Sequence, residues 1–252
     1  FYLIQKLKDT CEMLNRQNIV QTQFKLHLVP EIKSFLQAKD NPYTDVPMLN
    51  IYYLVFLTLT ENKKEEHYKK LVVLLEKHAP GFLGEESRAM YRYAQNYCIR
   101  KINSGKSNYF RELFELYKTQ LESEVIFENK YLDHTDYKNI VTVALRLPEF
   151  EWAENFISNY KEKIEPQNRE NAFNFNLASY YFAKKDFDKV IDTLRFLRFD
   201  DIYYELSARQ LLLKTYYEIQ EFDSLNYAIQ SFRIYLVRNK KISPSNRNGY
   251  IN

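Results

Sequence analysis

Only 4 Gly and 7 Pro punctuate 252 residues, about a third of ordinary usage, which excludes a turn-rich β sandwich or barrel. Hydrophobic residues at 45% and charged residues at 27% supply both a core and a solvated exterior, so disorder is excluded as the main state. The net charge of +3 is unevenly placed: Ser224 to Asn252 holds no acid and five cations, Arg233, Arg238, Lys240, Lys241 and Arg247, which leaves the remainder at −2.

Apolar residues recur at three- and four-residue spacing from end to end, so the reading is all-α, with about twelve helices. Chain order gives the breaks. Stop signals fall at Asn41 to Pro47, Glu61 to Lys64, Pro80 to Gly84, Asn103 to Asn108, Leu147 to Glu149 and Ile164 to Asn168. No Gly or Pro occurs between Gln167 and Ser243, yet polar breaks at Lys184 to Asp186, Phe199 to Asp201 and Gln220 to Glu221 divide that interval into helices of ordinary length. Met48 to Leu59, the most apolar stretch, is far shorter than the roughly 20 residues a membrane helix needs. It predicts a buried helix, and no membrane span.

Cys11 and Cys98 cannot make the disulfide framework of a small secreted domain, which predicts a reducing, cytoplasmic setting. The chain starts at Phe1 and reads as a fragment, so the lack of a signal peptide carries little weight.

Self-comparison is more informative. Phe150, Ala153 and Ile157 recur as Phe187, Val190 and Leu194, and again as Phe222, Leu225 and Ile229. Ten residues before each Phe stands an apolar pair, Ile140 with Val141, Leu177 with Ala178, and Leu212 with Leu213, followed by Ala144, Tyr181 or Tyr216. The unit is a helix pair repeated at intervals of 37 and 35 residues. Looser copies of the second helix occur at Phe110, Leu113, Tyr117 and at Tyr68, Leu71, Leu75, implying five to six pairs.

Asn176 to Leu194, NLASYYFAKKDFDKVIDTL, resembles the tetratricopeptide repeat. Leu177, Ala178 and Tyr181 match the family's first-helix Leu, small residue and Tyr; Val190 and Leu194 match its second-helix Ala and late hydrophobic position; Pro166 lies near its terminal Pro. Leu213 and Val141 depart from the small residue, and the early spacings are long. The whole chain is also similar to an uncharacterised bacterial family of this repeat class, which implies no activity. The resemblance implies a right-handed α-α superhelix: N-terminal helices over 1–46, degenerate or capping; degenerate pairs over 47–132; three clearer repeats over 133–239; and a basic tail or the start of a further helix over 240–252. In such proteins the first helices line the concave face. That rule places Lys138, Thr142 and Arg146, then Ser179 and Phe182, then Gln210, Lys214 and Tyr217 on it.

Local catalytic signatures are missing. His27, His67, His78 and His134 have no partner at three or four residues, and neither Cys has a CxxC context. Gly105, Lys106 and Ser107 end like a phosphate loop, but Arg100 stands where its first Gly belongs, so the segment reads as a helix connection. Trp152 reads as packing. The second ring of each Tyr pair, Tyr53, Tyr181, Tyr204 or Tyr217, falls about 100° round the helix from the first and is free to line a groove.

These readings predict a noncatalytic scaffold, without cofactor or metal, that holds a protein or peptide on its concave face, with Lys138, Arg146 and Lys214 attracting carboxylates. The alternatives are an RNA-reading repeat protein, disfavoured by the −2 body, and a ligand-sensing piece of a larger regulator. An enzyme ranks last.

Overall fold

A computed structural model describes residues 1–20, 27–38, 40–195, 197 and 201–251. Its described residues form thirteen α-helices and no strand, with one isolated parallel bridge between Leu132 and Ile164. The protein is all-α. No described helix is long and apolar enough to cross a membrane. Contacts divide the chain into two units, Phe1–Glu128 and Asn129–Asn252.

The first unit contains α1 (Tyr2–Val20), α2 (Val29–Gln37), α3 (Pro47–Thr60), α4 (Glu65–His78), α5 (Gly84–Asn103) and α6 (Tyr109–Glu122). Pro47 opens α3, where its fixed φ and missing N–H do no harm. This helix contains the apolar stretch, and α1, α4 and α5 all pack on it, which is why Leu49, Ile51, Tyr52, Val55, Phe56 and Leu57 are buried. Tyr68 and Tyr97 stack at 4.6 Å with Tyr109 edge-on to both, and the Cys98 thiol donates to the Tyr68 hydroxyl at 3.1 Å. Both cysteines are buried and free, and burial raises the Cys98 thiol to about 12.

The second unit contains α7 (His134–Arg146), α8 (Phe150–Asn159), α9 (Pro166–Ala183), α10 (Phe187–Leu194), α11 (Ile202–Glu218), α12 (Phe222–Arg238) and α13 (Pro244–Ile251). Asp133 caps α7 by accepting the Thr135 and Asp136 N–H groups, and Asp201 caps α11 by accepting that of Tyr204. Each repeated Phe is the first residue of a second helix. The turn before it is also repeated: the N–H of Glu149, Asp186 and Glu221 donates back to the carbonyl of Ala144, Tyr181 and Tyr216 at 3.0, 2.9 and 3.0 Å. Lys185 and Gln220 stand left-handed at φ 61 and 60, and their N–H groups close the inner bond to Phe182 and Tyr217. Pro148 has no N–H, so the first turn keeps only its outer bond.

Each first helix packs on its own second helix, and α9 and α11 pack on both helices of the preceding pair. Aromatic packing fills the spaces, with Trp152 stacked on Phe156 and Phe156 against Tyr137. Ala153 and Ala178 are fully buried, whereas Ala228 is half-buried.

Boundaries differ from expectation in three places, one of them before α2, where Leu28 stands left-handed at φ 63 and no break was expected. The connection from 123 to 133 contains neither Gly nor Pro and was not among the predicted breaks; Glu124, Asn129 and Lys130 make its left-handed turns instead. Helix α9 begins at Pro166, inside the break predicted at Ile164 to Asn168, since Pro is tolerated in a first turn. Of the break at Phe199 to Asp201, only Asp201 lies among the described residues. The Gly105 segment is a helix connection: Gly105, at φ 89, permits the same turn after α5, with Lys106 donating to the Lys101 carbonyl at 3.0 Å.

Candidate functional site

The residues expected on the first-helix face belong to α7, α9 and α11, and the structure gives them different surroundings. Lys138 is engaged within the protein. Its amine lies 5.3 Å from the Phe175 ring centre and 5.2 Å from that of Tyr204, and it donates to the Ser207 hydroxyl at 2.6 Å. Burial pushes this amine below the ordinary lysine range, with Asp201 partly opposing the shift. The Tyr204 hydroxyl donates to the His134 carbonyl, so α11 reaches α7 directly at this end of the face.

Thr142 and Arg146 are exposed, with the Thr142 hydroxyl donating to the Lys138 carbonyl at 2.8 Å. Ser179 is half-buried and donates to the Phe175 carbonyl at 2.9 Å, while Phe182 lies edge-on to Phe187 at 5.6 Å. Gln210 is half-buried. Lys214 and Tyr217 are exposed, Tyr217 by 65%. Thr142, Arg146, Lys214 and Tyr217 are therefore the exposed members of the set, while Lys138 joins three helices. Of the second rings of the Tyr pairs, Tyr217 is exposed, Tyr53 and Tyr181 are half-buried, and Tyr204 is buried.

The three first-helix starts converge on a small polar pocket lined by His134, Asn168, Asn171, Asp201 and Tyr204. His134 nitrogens stand 3.7 Å from Asp133 and 4.0 Å from Asp201, too far for strong hydrogen bonds. Among the described residues no group of three or more His, Cys, Asp or Glu could hold a metal.

A second polar cluster, unforeseen in the sequence, lies in the first unit. Glu86 accepts from the Tyr52 hydroxyl and pairs with Lys8 at 2.5 Å, tying α5 to α3 and α1. Burial opposes the Glu86 charge, but the Lys8 and Tyr52 hydrogen bonds prevail and hold its carboxyl below the ordinary range. Every polar atom involved has a partner, so the cluster fastens helices and leaves no open chemistry. Its only sequence signal is Glu86 in the first turn of α5, which reads equally well as a helix-dipole residue.

Lys138→Met should stay within about 1 kcal/mol of the parent, because the apolar stem is retained and the charge need no longer be desolvated. Lys138→Glu is expected to lose about 2–4 kcal/mol by setting a carboxylate against two ring faces. Urea denaturation of both variants checks this, and equal losses would deny the cation its place over the rings. Comparison with known protein families, curated proteins and solved structures returns no match.

Proposed function

We propose that this chain is a noncatalytic helical-repeat scaffold of the tetratricopeptide kind that holds a protein or peptide segment on its first-helix face. The observation that carries the reading is the repeated junction: three helix pairs joined by one turn geometry, each second helix starting at a Phe. Packing of α9 and α11 on both helices of the preceding pair supports a superhelical stack, in which neighbouring units supply the core that one pair lacks. The exposed members of the face suit a carboxylate-bearing segment with an apolar or aromatic group: Arg146 and Lys214 offer charge, and Tyr217 a ring.

The test is a pull-down with the triple variant Arg146→Glu, Lys214→Glu, Tyr217→Ala, leaving Lys138 intact. Recovery of a partner captured by the parent should fall at least about fivefold, as expected when charge complementarity is inverted, with the thermal midpoint unchanged. Unaltered recovery would remove the first-helix face from the function.

A further inference from the structure

The final helix pair carries a second surface with different chemistry. A trough runs along α12 between it and α11. At one end Leu212, Tyr216, Tyr227 and Ala228 line it, and at the other Arg238, Lys240 and Lys241. Arg209 and Ser231 line both parts, so the two depressions adjoin along α12. Helix α12 has 17 residues, which makes the trough roughly 25 Å long. Tyr227 is 78% exposed and Ile234 51%, although both are large enough to be worth burying.

The charge here is one-sided. Arg238, Lys240 and Lys241 are exposed and make no ion pair among the described residues, whereas Arg209 pairs with Glu205 at 2.6 Å. No acid follows Asp223 along the chain, so this end has no acidic neighbour in sequence, and Asp223 itself lies at the opposite, apolar end. A helix C-terminus favours nearby cations, which explains one or two of them. It does not explain their position beside a concave apolar surface.

We propose that this trough docks an amphipathic helix from a partner protein, with bulky apolar residues seated against Tyr216, Tyr227 and Ala228 and acidic residues at the end over Arg238, Lys240 and Lys241. Concavity favours a helix over a lipid surface, because apolar side chains can enter between α11 and α12, which a flat headgroup layer does not require. The length suits a helix of about 16 residues. This surface is independent of the first-helix face and stands if that reading fails.

Fluorescence anisotropy with two labelled helical peptides of about 16 residues tests it. Both carry the same leucine stripe at three- and four-residue spacing; one has Glu at its polar positions and the other Lys. The Glu peptide should bind the parent saturably and bind at least about tenfold more weakly to Arg238→Glu/Lys240→Glu/Lys241→Glu and to Tyr227→Ser/Ile234→Ser. It should bind Arg146→Glu/Lys214→Glu/Tyr217→Ala normally, which separates this surface from the first-helix face. No saturable binding, equal binding of the Lys peptide, or indifference to both trough variants overturns the proposal. So does co-sedimentation with phosphatidylserine vesicles that the Glu peptide does not displace, which would assign the surface to an anionic membrane.

Discussion

Ala153→Asp is expected to lower the free energy of unfolding by about 3–5 kcal/mol, a large fraction of an ordinary stability of about 5–15 kcal/mol. Ala153 is fully buried on α8, a helix that packs on α7 and α9. An aspartate there would bring a carboxylate into the packed pair of α7 and α8, whose buried residues include the apolar Ile140, Ala144, Phe156 and Ile157. Val190→Asp, at the equivalent position of α10, is also fully buried and should behave alike. Leu225→Asp, the third equivalent, is half-buried and should lose less. Thermal and urea unfolding of the three variants tests the graded order. An unchanged midpoint for Ala153→Asp would disprove the repeat register, since only a solvent-facing residue tolerates that change.

The three junctions of the second unit were legible because their signal is local. Breaks read at Leu147 to Glu149, Lys184 to Asp186 and Gln220 to Glu221 coincide with the gaps before α8, α10 and α12. Each places an acid directly before a Phe that opens the next helix: Glu149 with Phe150, Asp186 with Phe187, and Glu221 with Phe222. The connection from 123 to 133 had no such signal, since Asn129 and Lys130 adopt left-handed backbone without a Gly to announce it. Side-chain partners were less accessible to periodicity. The resemblance implies that Lys138 lies on the first-helix face, but not that its amine meets Ser207, 69 residues later. The α12 trough was half legible: the acid-free segment is plain in the sequence, and Tyr227, Ile234 and Arg238 share one face of α12 by helical spacing, whereas the depression beside them depends on how α12 sits against α11.

Alkaline conditions should unfold this protein through its tyrosines. Tyr52, Tyr68, Tyr137 and Tyr204 are at most 4% exposed, and burial raises each hydroxyl far above its ordinary value of 10.0. Tyr91, also buried, is raised to about 12. An unfolded chain releases these protons near pH 10, while the native state keeps them, so the native state binds more protons and stability falls as pH rises. Below pH 10 both states are protonated and this contribution is fully present. Each tyrosine supplies a slope of about 1.4 kcal/mol per pH unit, and the first four together about 5.6, which exhausts an ordinary stability within roughly one to three units. Lys138 acts in the opposite sense, because its lowered amine loses its proton first in the native state, but it is one group against four. Exposed rings such as Tyr217 and Tyr227 should ionise gradually near pH 10 without loss of helix, whereas the remaining tyrosinate absorbance should rise together with the loss of helical circular dichroism in a steep step at higher pH. Tyr137→Phe, which forfeits the bond to the Ile157 carbonyl, should make that step shallower even as it lowers stability at pH 7. Complete tyrosine ionisation near pH 10 with helicity intact would mean that the four buried rings are open to water, and the packing between successive helices would then have to be redrawn.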